Sequence, residues 1–367
     1  MVEKLLDFIE KSPSPYQAVD NTAEALAEAG FERLYEHEKW NIKHGGRYYV
    51  IRDGSSIIAF IVPESDYIGL SICASHTDSP SFKIKSNPEL APLGGTVRIN
   101  VEGYGGMMKE SWFDRPLSVA GRIGVYVNHG IEYRNINIKR PVMIIPGLAV
   151  HMGTGHENGK VNIQTELMPV LRTDKAKTDF IRLIAESADA EPEKIAGMDM
   201  YVYCCGRGCV LGAENEFFAS PRIDNLESVF TSVNAFINSG KNRMLKVLAA
   251  FNNEETGSLT KQGAESTFFS DTVERINESL GVNREEYLRR LASSFMLSAD
   301  NAHAVHPNYI SKADPVNRPV MNGGVVIKYN ASGRYTTDAV SSAVVKALCI
   351  RADVIKMRLN KIHTLLF

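Results

Sequence analysis

Glu254 and Glu255 stand side by side at the end of an apolar run, and two adjacent carboxylates in such a place could do chemistry. They follow residues 245–251, LKVLAAF, and two asparagines. Seven apolar-biased residues bounded by turn formers predict a buried strand, read here as parallel. In open α/β sheets ligands gather beyond the carboxyl ends of such strands. Neighbouring residues on an extended chain point opposite ways, so the two carboxylates are expected to do different jobs: one to hold a metal, the other to handle a proton. An ordinary solvated loop after a strand would look the same, so the rest of the chain has to decide.

Three more places end apolar runs with ligand-type residues. His76 and Asp78 follow 68–75, IGLSICAS; Asp224 lies in 220–225, SPRIDN; and Asp300 follows 295–298, FMLS. Singly each is ordinary, and Asp224 would also serve as a helix N-cap. Together they form a carboxylate-rich set with an imidazole, the ligand mix suited to zinc or a similar divalent ion. One bridging carboxylate can hold two ions about 3.5–4 Å apart, with water activated between them. His76 and Asp300 could terminate one ion and Glu255 the other. Asp78, two residues beyond His76, could accept the second imidazole N–H and fix the tautomer. Glu254 would remain free to take a proton from the activated water.

These residues need strands to deliver them. Leu5, Leu6 and Ile9 mark one face of a helix over 2–10, broken by Ser12-Pro13-Ser14-Pro15, and a second helix over 16–29 stops at Gly30. Residues 48–52 and 56–62 alternate around Asp53-Gly54, a hairpin signal. From about 87 to 213 the texture becomes short β-rich segments between Gly and Asn, with one helix near 175–188. That stretch reads as an inserted, mainly β module. The α/β pattern resumes at Asp224, with helices over 225–237, 261–279 and 284–294 and strands at 245–251 and 295–298. The predicted organisation is a catalytic α/β domain from 1–86 and 214–367, split by a β-rich oligomerisation domain at 87–213.

Composition narrows the class. A chain of 367 residues with 44% apolar and 23% charged content is expected to form two packed domains. A formal net charge of −2 without charge runs argues against a nucleic-acid footprint and a basic membrane surface. No apolar stretch reaches spanning length, and acids at Glu3 and Asp7 are wrong for a secretory signal. Five cysteines without a Cys-x-x-Cys pair read as reduced thiols of a cytoplasmic protein.

Taken in order, the motifs resemble the zinc-dependent aspartyl aminopeptidase family. The signatures are SHTDSP at 75–80, SWFDRPL at 111–117, RIDN at 222–225, NEE at 253–255, SADNAHAVHPNY at 298–309 and RYTTDA at 334–339. The likeness runs from SPSPYQAV at 12–19 to about Ala347. It implies a three-layer zinc-exopeptidase-like catalytic domain and a homo-oligomer in which dimers build a dodecamer. It further implies two zinc ions per subunit and release of an N-terminal Asp or Glu from peptide substrates. His76 and Asp300 would ligate one zinc, Asp224 would bridge, Glu255 would ligate the second and Glu254 would be the general base. Lys328, in Val326-Ile327-Lys328, would face the acidic side chain of the substrate, with His303 and His306 lining the pocket. His151 matches a family histidine with a proposed role and is counted among the metal-site residues, reaching a neighbouring subunit's site across an oligomer interface, with a structural role as the alternative; His156 and Glu157 carry no signal.

The resemblance fades in the last residues, IRADVIKMRLNKIHTLLF at 350–367, where the family has a glycine turn and a late histidine motif that completes the second zinc site. His363 has neighbours unlike that motif. The second ion then keeps only Asp224 and Glu255, so one zinc or fewer is expected to be well held here, with either weakened peptidase activity and lower stability or an assembly or binding homologue without chemistry. A different two-metal hydrolase, a deacylase or carboxypeptidase, is disfavoured by the motifs at 75–80 and 298–309.

Overall fold

Leu5, Leu6 and Ile9 are the buried face of helix α1 (Val2–Lys11) in the computed structural model. The structure describes residues 1–153, 161–352 and 357–361, the last by backbone alone. Helix α2 (Pro15–Glu28) starts on a proline, whose missing N–H costs nothing in a first turn. It ends before Gly30, at φ +83°, a conformation that a side chain would oppose. The chain divides into two compact units, 1–300 and 301–367.

The first unit holds two six-stranded sheets. Strand β1 (Glu32–Leu34) is followed by the hairpin β2 (Arg47–Arg52) and β3 (Ser56–Ile61), paired antiparallel with Asp53 and Gly54 both at positive φ. Strand β4 (Gly69–His76) ends on the histidine. The chain then leaves this sheet and builds the other. Its elements are β5 (Ser81–Glu89), β6 (Thr96–Tyr104), β7 (Leu117–Val127), β8 (Gly130–Asn137), α3 (Ile163–Glu166), β9 (Val170–Thr173), α4 (Phe180–Ser187) and β10 (Ile195–Cys204). Their order is β8-β7-β10-β5-β6-β9, every pairing antiparallel. Phe82, Ile99, Val101, Val119 and Val202 form its core, with Phe180 and Ile184 of α4 packed in. Asp179 caps α4, accepting from the Arg182 N–H, so this helix begins five residues later than 175.

After a small hairpin, β11 (Cys209–Leu211) and β12 (Phe217–Ala219), the chain returns to the first sheet. There it adds α5 (Ile223–Ile237), β13 (Met244–Phe251), α6 (Phe268–Ser279), α7 (Arg284–Ala292) and β14 (Phe295–Ser298). The sheet order is β1-β2-β3-β13-β4-β14. Strand β13 is parallel to β4 but antiparallel to β3, because β3 is the returning arm of a hairpin. The sheet is therefore mixed, where the apolar run alone suggested a parallel one. Leu245, Val247 and Ala249 pack with Phe268, Val273 and Ile276 of α6 on one face. Leu248 and Ala250 pack with Val19 and Leu26 of α2 and Val229 and Val233 of α5 on the other. Burial on both faces explains why the run is apolar at consecutive positions. The result is a three-layer α/β arrangement with a β insertion.

Register then places the strand ends. Phe251 pairs with His76, and Ser298 pairs with Ala74. Residues 76–78, 252–255 and 299–300 thus emerge together beyond the carboxyl ends of these three strands.

In the second unit, β15 (Val325–Tyr329) pairs parallel with β16 (Met357–Lys361). Helix α8 (Ala339–Arg351) is opened by a capping box between Asp338 and Ser341. Among the described residues no helix is long and apolar enough to cross a membrane.

Candidate metal centre

His76 is the residue around which the strand ends converge. Its Nδ1 lies 3.1 Å from the Asp78 carbonyl oxygen and 3.4 Å from Asp78 Oδ1. Its Nε2 faces three carboxylates: Asp224 Oδ1 at 3.3 Å, Asp300 Oδ1 at 3.7 Å and Glu254 Oε2 at 3.8 Å. Two groups of potential ligands share this imidazole, His76 with Asp224 and Asp300, and His76 with Glu254 and Glu255. Within each group the ligand atoms lie within 4.8 Å of one another.

Backbone pairing and short hydrogen bonds hold these side chains in place. The Thr77 N–H donates to the Phe251 carbonyl, and the Ala299 N–H to the Ala74 carbonyl, extending the sheet to the site. Ser79 Oγ donates to the Asp224 carbonyl at 2.7 Å, and Asn225 Nδ2 to the Ala299 carbonyl at 2.9 Å. The Asp224–Asn225 peptide is cis, and regular helical geometry in α5 begins after it.

Glu254 and Glu255 do not continue the strand. Asn253 takes φ +67°, and residues Glu254–Thr256 form a 3-10 turn. Both carboxylates therefore reach the His76 cluster, rather than pointing opposite ways as an extended chain would require. Asp78, wholly buried, accepts the Glu254 and Glu255 backbone N–H groups on its two oxygens, each at 3.2 Å. Thr260 Oγ1 and Gln262 Nε2 both donate to Asn253 Oδ1. That explains why the predicted helix over 261–279 starts only at Phe268: its first residues fold back to hold the turn.

The electrostatics are those of negative charges gathered under burial. Burial pushes the Glu255 carboxyl up to about 8, reinforced by Asp224, Asp78 and Glu254 and opposed by His76. Burial also raises Glu254, with Asp300, Asp78 and Asp224 adding to it. Burial favours the neutral His76 ring, but Asp224, Asp300 and Asp78 outweigh it and hold the ring well above its ordinary value. The donor set fits a divalent ion. Asp224 Oδ1 is buried beside His76 and makes no hydrogen bond of acceptable geometry among the described residues. Carboxylate oxygens with one imidazole nitrogen are a mix that zinc takes.

Sequence reasoning did not single out Tyr104. Its hydroxyl donates to Asp78 Oδ2 at 2.7 Å and accepts from Asn253 Nδ2 at 2.9 Å. Burial and the Asp78 charge keep this phenol far above its ordinary value, so it stays a donor. The available signal was Tyr104-Gly105-Gly106 at the end of an alternating strand. His151 sits exposed in the 3-10 turn Val150–Met152 and belongs to neither ligand group. His303, His306 and Lys328 belong to the second unit. There the His306 and Tyr309 rings lie 4.9 Å apart, and Lys328 Nζ donates to the Asn301 carbonyl at 2.6 Å. His156, Glu157 and His363 lie outside the described residues.

A three-layer α/β unit with carboxylates and an imidazole at its strand ends is the architecture of a metallohydrolase. The family model for aminopeptidase I zinc metalloproteases (M18) matches residues 8–363, past Ala347, and the chain belongs to that family of zinc-dependent aminopeptidases. It is 43% identical over 357 residues to a probable M18 family aminopeptidase 2 of Clostridium acetobutylicum, covering 95% of this chain and 82% of that protein. It is 32% identical over 384 residues to the aspartyl aminopeptidase of Caenorhabditis elegans, covering 96% and 81%. Among solved structures it resembles the mApe1 dodecamer of S. cerevisiae, with a TM-score of 0.85, 26% identity, and coverage of 98% of this chain and 84% of that one.

Proposed function

We propose that this aminopeptidase releases an N-terminal aspartate or glutamate from peptides at the His76 cluster. The observation that carries the reading is the pair of ligand groups sharing one imidazole at the ends of three strands. In this reading His76 and Asp300 would hold one zinc ion, with Asp224 shared toward a second ion at Glu255, for which these two carboxylates are fewer ligands than zinc ordinarily takes. Zinc, when bound, supplies a Lewis acid that polarises the scissile carbonyl and acidifies water. Glu254 takes the proton of the attacking water and delivers it to the departing amine, a role suited to a carboxyl whose proton affinity burial has raised. Asp78 steadies the imidazole through Nδ1 and the Glu254–Glu255 turn through its two oxygens.

The name of the nematode relative and the resemblance of Val326-Ile327-Lys328 support the acidic preference, which we assign to Lys328, with His303 and His306 as further substrate contacts. The dodecameric relative supports a homo-oligomer; that it is built from dimers through the β insertion at 87–213, with His151 contributed across an interface between subunits, is part of the proposal. Five free cysteines suit a cytoplasmic protein. The substrate assignment is tested by Lys328→Ala. The preference for Asp-p-nitroanilide over Leu-p-nitroanilide, as a ratio of kcat/KM values, is expected to fall at least about tenfold with loss of this charge. An unchanged ratio would remove the assignment.

A further inference from the structure

The inserted sheet reaches the catalytic turn at one corner, Tyr104-Gly105, where β6 ends. The Tyr104 hydroxyl is the direct link between Asp78 and Asn253, both buried, on the two loops that present His76 and the two glutamates. Its ring meets Tyr201 of β10 edge-on, with centroids 5.3 Å apart, which anchors it to the inserted sheet. Gly105, at φ +72°, brings its backbone against Glu255: a Cβ there would lie 2.9 Å from Glu255 Cβ. We propose that Tyr104 is a positioning residue for the reaction, its hydroxyl locking the Glu254–Glu255 turn onto Asp78. The β insertion is on this account a structural part of the reaction centre, whatever its role in assembly.

The physical reason is the cost of an unmade hydrogen bond in a buried place. In Tyr104→Phe, Asp78 Oδ2 loses a donor and Asn253 Nδ2 loses its acceptor, while the ring and its packing remain. Partners of this kind orient ligands, and their loss commonly costs about 10–100-fold in metal affinity or rate.

The inference rests on the proposed function, and its test separates the two. Zinc affinity of the metal-free protein is measured by competition with a chromophoric chelator, kcat and KM on Asp-p-nitroanilide, and the thermal midpoint, for wild type, Tyr104→Phe and Tyr201→Phe. Tyr201 is equally buried in the same aromatic cluster, and no hydrogen bond of the described residues joins its hydroxyl to the 252–255 turn. For Tyr104→Phe we expect zinc affinity and kcat to fall about 10–100-fold with KM within about twofold of wild type. Tyr201→Phe should match wild type in zinc affinity and kcat. A Tyr104→Phe protein indistinguishable from a zinc-binding, active wild type would overturn this inference alone. Equal losses in both variants would reduce Tyr104 to packing and overturn it too. A wild type that takes up no zinc would overturn the proposed function and this inference with it.

Discussion

His76 and the carboxylates around it show why residue types have to be read with their neighbours. Burial and the neighbouring carboxylates push Glu255 up to about 8, and the carboxylates hold His76 well above its ordinary value. A ligand must be deprotonated to bind zinc, so uptake near neutral pH has to expel protons. Zinc titration by calorimetry at pH 7, repeated in buffers of different ionisation enthalpy, should show a heat that tracks the buffer, and apparent affinity should rise with pH up to about 8. Heats that do not depend on the buffer would contradict this. At the same scale, the sequence made most of the cluster legible, because His76, Asp78, Glu254, Glu255 and Asp300 each follow an apolar run, while Asp224 stands out only through the 220–225 motif at the start of a helix. Tyr104 stayed hidden for a physical reason. Its partners lie 26 and 149 positions away, in the loops that follow β4 and β13 of the other sheet, and nothing in the local pattern of β6 records them.

At the scale of elements, β13 does most to position the site, since its neighbours β4 and β3 and its two helical layers all depend on it. Leu248 is almost wholly buried against α2 and α5. Leu248→Ala should lower the unfolding free energy by about 2–5 kcal/mol, read from urea melts with the slope unchanged. A loss below about 0.5 kcal/mol would mean that this face is not packed as described. The existence of the strand and its burial were legible from 245–251, because a strand covered on both faces must be apolar throughout. Its mixed pairing was not, since that depends on which strand returns beside it. The start of α6 was misplaced for a similar reason: Thr260 and Gln262 serve Asn253 rather than a helix, and apolar periodicity does not register that use.

At the scale of the whole chain, two sheets of different character share the first unit. One presents strand ends that hold the cluster, and the other contributes the Tyr104 corner that braces it. The inserted sheet begins at Ser81, ahead of the change of texture near residue 87, which is visible because antiparallel strands with tight turns need Gly and Asn where α/β units need long periods. The claim that joins all three scales is that this chain is a zinc aminopeptidase whose proton passes through Glu254. Its most direct test compares wild type and Glu254→Gln after chelator treatment and zinc return, following zinc content and Asp-p-nitroanilide hydrolysis together. The account predicts that wild type loses activity on stripping and regains it with zinc, and that Glu254→Gln takes up zinc yet turns over at least about 10²-fold more slowly. Glu254→Gln turning over at the wild-type rate, or wild-type activity that ignores zinc removal, would contradict it.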